Sequence, residues 1–295
     1  MKTIYINNKS NIEIKNMSKK DFLDTFDLNM RDLRPVFSIL QVATILPRKD
    51  SVIINLGFIK TILSHNQIYF LQQFNSERFE IFFKKIQNKI HNQKLLHNNF
   101  FLFFFEQILD SKSSQMSGKI QNLYNNIQNI LKDAQNNLSE INLKKLLLVK
   151  KQITKLDNRL NEILNAIEEI LEDEENFYEL IRLSKIDQKS HMELESILEN
   201  FLEQMEDEMR KINQMKEDVE DTEDYINLIL SNKRTKIVKF DLIATIFTLS
   251  LTITSVIVGL YGVNLYNGLE HSQIAFKILS IVLIIILIII NSILF

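Results

Sequence analysis

Two long apolar runs stand at the C-terminal end of the chain, and they constrain its fold more than any other feature. The first, Leu242 to Tyr261, has about 20 residues and no ionisable side chain. As a helix it covers roughly 30 Å, one hydrocarbon core. The second, Ile278 to Phe295, has about 18 residues and is purely aliphatic from Ile281 to Ile290. No face of it carries a polar period, which argues against a pair of helices buried in a soluble core. The polar members of the first run are Thr245, Thr248, Ser250, Thr252, Thr254 and Ser255. They can return hydrogen bonds to their own helix backbone or face a wet interior. A short polar loop joins the runs, with Gly262-Val263-Asn264 at its mouth. Two membrane spans joined in this way suggest an ion pore rather than a soluble enzyme.

Charge orients the spans. Lys233, Arg234, Lys236 and Lys239 immediately precede the first run, whereas the loop holds only Lys277, with Glu270 and His271. The positive-inside rule places the large N-terminal part on the cytoplasmic or matrix side, and the C-terminus with it. The formal net charge of −2 gives no basic bias toward nucleic acid. Mean hydropathy, −0.05, averages a polar body through about residue 240 and the apolar end. A body of that size can bury a sizeable core. The chain has no cysteine, which excludes disulfides and thiolate metal sites. With 5 Gly and 2 Pro in 295 residues, long uninterrupted helices are expected. Met1 to Met30 does not read as a targeting peptide, because it lacks arginine and contains Glu13, Asp21, Asp24 and Asp27.

Within the body, Val36–Leu46, Ser51–Asn55 and Gln67–Leu71 read as short strands, with Pro47-Arg48-Lys49-Asp50 as a turn between the first two. Phe100–Phe105 reads as the start of a buried helix rather than a platform for stacking bases. From about Ser117 the pattern is helical: Ile120, Leu123, Ile127 and Ile130 recur at helix spacing, and Leu138–Leu171 continues it. The longest stretch is Met192–Lys239. Its stripe is Leu194, Ile197, Leu198, Phe201, Leu202, Met205, Met209, Ile212, Met215, Val219 and Ile226. It reads as one helix that continues into the first span, a stalk of about 48 residues and roughly 70 Å. Such a stripe needs partners, from Gln121–Glu172 of the same chain or from neighbouring subunits. The expected architecture is an α+β N-terminal domain (1–110), a helical domain with the long stalk (111–239), a first transmembrane helix (240–261), an outer loop (262–277) and a second transmembrane helix (278–295).

Two acidic clusters stand out, Glu168 to Glu175 and Glu217 to Asp224. In a monomer each is a solvated helix face. Repeated around a symmetry axis, such carboxylates repel unless cations sit between them, and hard oxygen ligands suit Mg2+ or Ca2+. No phosphate-binding glycine loop, histidine metal motif or nucleophile signature is present, so no enzyme activity is expected. His65, His91, His97, His191 and His271 are scattered.

The order of these features resembles the CorA superfamily of magnesium channels, specifically its eukaryotic mitochondrial branch. The family's mark is Gly-Met-Asn at the end of the first of two spans, often with an acidic residue six positions after the Asn. Gly262-Val263-Asn264 and Glu270 match it. Arg31-Asp32-Leu33-Arg34 is similar to the opening of the branch's N-domain, and Leu171-Glu172-Asp173-Glu174-Glu175 to its acidic helix segment. Met192-Glu193-Leu194-Glu195-Ser196-Ile197-Leu198-Glu199-Asn200 is similar to the start of its stalk. The resemblance implies a CorA-like funnel: a homopentamer in a lipid bilayer, by family the mitochondrial inner membrane, with five first spans lining a pore. It implies an outer Asn264 ring holding still-hydrated Mg2+, Gly262 permitting a backbone turn, and Glu270 raising the local cation concentration. Arg234 would restrict flux at the inner end or serve as an ordinary positive-inside anchor. Glu220 and Asp221, where the branch carries an acidic pair, would bind regulatory Mg2+, as would Glu172, Asp173 and Glu174. Mg2+ would then be both the transported ion, driven by the membrane potential at about 4.6 kcal/mol per 100 mV, and the gating ligand.

The sequence departs from the family at four points. Val263 replaces the Met, which keeps open a zinc or other divalent transporter of the same fold. No basic tail follows the second run. Asp241 stands at the membrane entrance, where it pairs with Lys236 or Lys239 or forms an inner cation-attracting ring. No clear presequence supports the mitochondrial address. A membrane-tethered structural protein with a closed pore is the alternative from another class, and a tail-anchored enzyme lacks any site.

Overall fold

The computed structural model describes residues 2–8, 11–37, 42–71, 77–92, 99–136, 138–184, 188–262 and 272–293. The chain divides into two compact units, Met1–Thr222 and Glu223–Phe295. The first opens with strands β1 (Lys2–Asn7) and β2 (Ile12–Asn16) and helices α1 (Lys19–Phe26) and α2 (Arg34–Phe37). Strands β3 (Thr44–Arg48), β4 (Ser51–Asn55), β5 (Lys60–Leu63) and β6 (Gln67–Leu71) follow, then helices α3 (Glu77–Asn92), α4 (Phe100–Asn136), α5 (Glu140–Glu172) and α6 (Glu174–Ser184). Helix α7 (Gln188–Tyr261) belongs to both units, and α8 (Gln273–Ile293) to the second.

The six strands form one sheet in the order β2-β1-β6-β5-β4-β3, with every pair antiparallel. Side chains alternate between its faces. The register aligns Leu46, Ile53, Ile62, Tyr69 and Tyr5 on one face. That face packs on Phe22 and Phe26 of α1, Leu33, and Val36 of α2. Phe70 points to the other face, where it meets Phe79, Phe82 and Phe83 of α3 and Phe104 of α4. The sheet is therefore covered on both sides. Buried Lys112 of α4 donates to the Leu56 carbonyl at 2.7 Å. The adjacent Gly57, in the β4–β5 turn, has φ +88, which a side chain would strain.

β4 and β6 have the bounds expected from the sequence, and Phe100–Phe105 does begin a buried helix. Val36–Leu46 is not a strand. Val36 lies in α2, residues 38–41 fall outside the described residues, and β3 starts only at Thr44. Pro47 and Arg48 are strand residues opposite Val52 and Ser51, so the hairpin turn is Lys49-Asp50 alone. Pro47 fits because β3 ends the sheet, where a missing N–H breaks no ladder. β1, β2 and β5 had no strong sequence signal. β2 is a largely exposed edge strand, and β5 is only four residues long.

Helix α7 runs unbroken for 74 residues. Its buried positions in the first unit are Leu194, Leu198, Phe201, Met205, Glu208, Ile212, Met215, Val219 and Thr222. This is a strict alternation of four and three, the period of a coiled-coil seam. Met209, placed in the stripe by the sequence reading, is only half-buried, and its neighbour Glu208 takes the seam position.

In the second unit, the apolar residues of α7 from Ile237 to Leu260 are almost all exposed, among them Phe240, Leu242, Leu249, Val256 and Leu260. Among the described residues α7 is the one helix long and apolar enough to cross a membrane. The described apolar stretch of α8, Gln273–Ile285, is shorter than a span.

Candidate functional site

The C-terminal end of α7 is built as its composition suggests. Thr248, Ser250, Thr252 and Thr254 donate to the carbonyls of Ala244, Phe247, Thr248 and Ser250 at 2.8–2.9 Å. Hydroxyls bonded back to their own helix leave no donor unpaired in an apolar medium. At Gly262 the backbone N–H still reaches the carbonyls of Val258 (2.9 Å) and Gly259 (3.2 Å). A Cβ there would sit 3.3 Å from the Val258 oxygen, and Gly262 is not in the left-handed region. What glycine supplies at this position is closeness to the preceding turn rather than a positive φ. Val263, Asn264 and Glu270 lie outside the described residues.

Arg234 and Asp241 are exposed on α7. Neither makes an ion pair among the described residues. Pairing of Asp241 with Lys236 or Lys239 is absent, because residues two and five apart on a helix do not face each other.

The acidic candidates divide by environment. Glu220 and Asp221 are exposed, whereas their neighbours turn inward. Thr222 accepts from Gln135 (3.3 Å), Asp218 from Gln128 (3.3 Å) and Gln214 (3.0 Å), and Lys216 pairs with Asp157 of α5 (2.8 Å). Glu172 and Glu174 are exposed as well. Asp173 sits in the break between α5 and α6, so the acidic segment is not one continuous helix. Its carboxylate accepts from the backbone N–H of Glu175 (3.0 Å) and the side chain of Asn176 (2.8 Å). It caps α6, which leaves it less free to bind a cation. Among the described residues no three acidic or histidine groups converge closely enough to clasp a bare metal ion.

The Arg31–Arg34 motif turns out to be structural. Asp32 is buried; its Oδ1 accepts from Arg48 Nε (2.9 Å) and Nη2 (2.8 Å), and its Oδ2 from the Asn29 N–H (3.0 Å). Burial pushes this carboxyl up, but the Arg48 hydrogen bond, the Asn29 N–H and the Arg48 charge outweigh it, leaving it below the ordinary value. Leu33 enters the core beside Phe22 and Val36.

A second polar feature went unread in the sequence. Glu208 is 6% exposed and lines a cleft between α4 and α7. The signal for it was the phase of the seam, which steps from Met205 to 208 and then to Ile212.

Comparison with known proteins adds the relationship. A family model described as magnesium transporter MRS2-like matches residues 2–234, which ends before the first apolar run. The mitochondrial inner membrane magnesium transporter MRS2 of Candida albicans is 26% identical over 276 residues, covering 90% of this chain and 58% of that protein. The mitochondrial magnesium transporter MRS2 of Saccharomyces cerevisiae is 27% identical over 291 residues, covering 93% and 60%. The chain thus spans about three-fifths of the length of these relatives. In fold it is similar to the complete CorA magnesium transporter of Methanocaldococcus jannaschii, with TM-score 0.68, 14% identity, and 99% and 96% of the two chains covered. The full-length CmaX protein gives TM-score 0.61 at 9% identity, over 99% and 97%.

Proposed function

The chain belongs to the MRS2-like family of magnesium transporters, a family of ion transporters rather than enzymes, and from that membership we propose that it conducts Mg2+ across a membrane down the electrical potential. One observation carries the reading: a single helix leaves a folded polar body, becomes apolar and exposed, and reaches Gly262 of Gly-Val-Asn without a break. In this reading α7 and α8 are the two spans, α7 lines the pore of a homopentamer, and the body lies on the matrix side of the mitochondrial inner membrane. The two yeast relatives, named for mitochondrial transport, support that address.

The Asn264 amides form a neutral ring of acceptors for an ion that keeps much of its water. Glu270 enriches cations at the outer mouth. Rings of Arg234 and Asp241, neither in an ion pair among the described residues, set opposing fields at the inner end. Glu220 and Asp221, exposed and repeated by symmetry, take up Mg2+ as its inner concentration rises and favour the closed state. Glu172 and Glu174 are weaker candidates, and Asp173 weaker still because it caps α6.

The test is Mg2+ uptake into proteoliposomes under an inside-negative potential, with Asn264→Ala beside the wild type. Uptake that depends on the potential and is lost in the variant is the expected result. Zn2+ entering in place of Mg2+ would move the reading to a zinc transporter, consistent with Val263 at the filter. Flux of neither ion through folded protein would leave a structural role.

A further inference from the structure

We propose that the exposed basic face at the start of α5 docks onto the acidic face of α7 in the next copy of the chain, in a head-to-tail contact that repeats around a ring. From Glu140 to Lys155, α5 carries five lysines and one carboxylate. Lys144, Leu148, Lys151 and Lys155 recur at steps of four, three and four, on the side of α5 away from buried Leu146, Val149 and Ile153. Around them Ile141, Leu143, Leu147 and Leu148 are 69%, 40%, 52% and 52% exposed. This is the densest group of exposed large apolar side chains among the described residues of the first unit, and such a group rimmed by charge marks a contact surface.

Charge names the occupant. Lys151 and Lys155, four apart, form a like-charge pair that destabilises a helix by itself. Helix α7 carries the converse: Glu217 and Asp221, also four apart, are exposed on the side opposite Met215, Val219 and Thr222. Among the described residues neither of them joins an ion pair, nor do Lys144, Lys145, Lys151 and Lys155. Each stripe repels itself and is relieved by the other. They do not meet within one chain. Asp157 of α5 pairs with Lys216 of α7 at 2.8 Å, so α5 already turns its other side to its own α7.

Height along the helices permits the match. Asp157 lies beside Lys216, Gln135 near the end of α4 donates to Thr222 at 3.3 Å, and Asn142 at the start of α5 donates to the Asp133 carbonyl at 3.3 Å. Residues 141–157 of α5 therefore run alongside residues 216–222 of α7. Rotation about an axis parallel to α7 moves a surface around the ring without changing its height. The lysines of one copy thus arrive level with Glu217 and Asp221 of the next. Two different patches that fit each other make a heterologous interface, which closes into a ring when the rotation allows. The inference rests on the transport reading only for a symmetric oligomer with its axis along α7.

The experiment uses the full chain in detergent with EDTA, where no divalent cation competes with the lysines for Asp221. The chain has no cysteine, so Lys151→Cys in one copy and Asp221→Cys in another, co-expressed with tags of different size, carry the only thiols. A bis-maleimide of about 10 Å, the spacing of packed helices, joins them. The mixed dimer should exceed by about tenfold or more that given by Glu193→Cys in place of Asp221→Cys, because only the docked pair has a high effective concentration. Glu193 is exposed on the same helix, roughly 40 Å away. Neither cysteine chain alone should cross-link. Lys155→Glu in the first chain should lower the yield several-fold, and Glu217→Lys in the second should restore it, which a misfolded α5 would not allow. An oligomer with no mixed cross-link overturns the proposal and leaves the lysine face to lipid headgroups. A cross-link between two Lys151→Cys chains, or a chain that stays monomeric, overturns it as well. Mg2+ uptake plays no part in the readout, so failure here is distinct from failure of the pore reading.

Discussion

Replacing Arg48 by Met should destabilise the first unit by an amount set by the burial of Asp32. The Asp32 side chain is 7% exposed and loses both Arg48 contacts, at 2.9 and 2.8 Å, keeping only the Asn29 N–H at 3.0 Å. Breaking a fully buried pair costs roughly 3–5 kcal/mol. Because the Arg48 side chain is 39% exposed, solvent screens the pair and reduces the expected loss to about 2 kcal/mol. For a unit of this size that lowers the melting temperature by about 4–8 °C. The assay is thermal unfolding of the full chain in detergent, followed by circular dichroism, beside Arg48→Lys and the double variant Asp32→Asn/Arg48→Met. The pH dependence gives an independent reading. Asp32 is held below its ordinary value, so its contribution is present above the unfolded carboxylate pKa and lost as pH falls through the folded one. In Arg48→Met only the Asn29 N–H and the Arg31 charge oppose burial, so the carboxyl rises from its wild-type position and acid costs the variant less. The gap between wild type and variant should be full at pH 7 and shrink below about pH 5. A loss under about 0.5 kcal/mol, or a gap independent of pH, would refute this account of Asp32.

Three further outcomes are expected. Leu198→Ala, at a fully buried seam position of α7, should cost about 2–5 kcal/mol in urea unfolding, whereas Met192→Ala, 71% exposed, should cost less than about 0.5. Asp173→Ala should cost about 1 kcal/mol and speed hydrogen exchange at the start of α6, while Mg2+ sensitivity of uptake stays closer to wild type than in Glu220→Gln/Asp221→Asn. Gly262→Ala places a Cβ 3.3 Å from the Val258 carbonyl and favours continued helix by about 1 kcal/mol, so uptake should fall several-fold while the melting of the first unit is unchanged.

Much of this protein could be read from the chain alone, because the relevant signals are local. The apolar run of α7, the scarcity of breakers that lets it extend 74 residues, and the start of α4 at the phenylalanine cluster all depend on neighbours within a few turns. The motifs resembling the CorA superfamily were likewise legible in order, and the family match over residues 2–234 covers those before the first apolar run, while Gly262-Val263-Asn264 and Glu270 lie beyond it. What was not legible depends on contacts between distant residues. Pro47 reads as a turn until the sheet order makes β3 an edge, where a missing N–H costs nothing. Asp32 reads as part of a motif until Arg48, sixteen residues on, fixes it as a buried ion pair. Asp173 reads as one carboxylate among several until the break between α5 and α6 makes it a cap. Glu208 went unread because only the packing of α7 against α4 buries it beside a polar cleft. Sequence determined which segments are helical and which are apolar, because propensity and periodicity act along the chain. Only the tertiary structure decided which carboxylates are paired, capped, exposed or buried, because that depends on what the other helices bring within hydrogen-bonding distance.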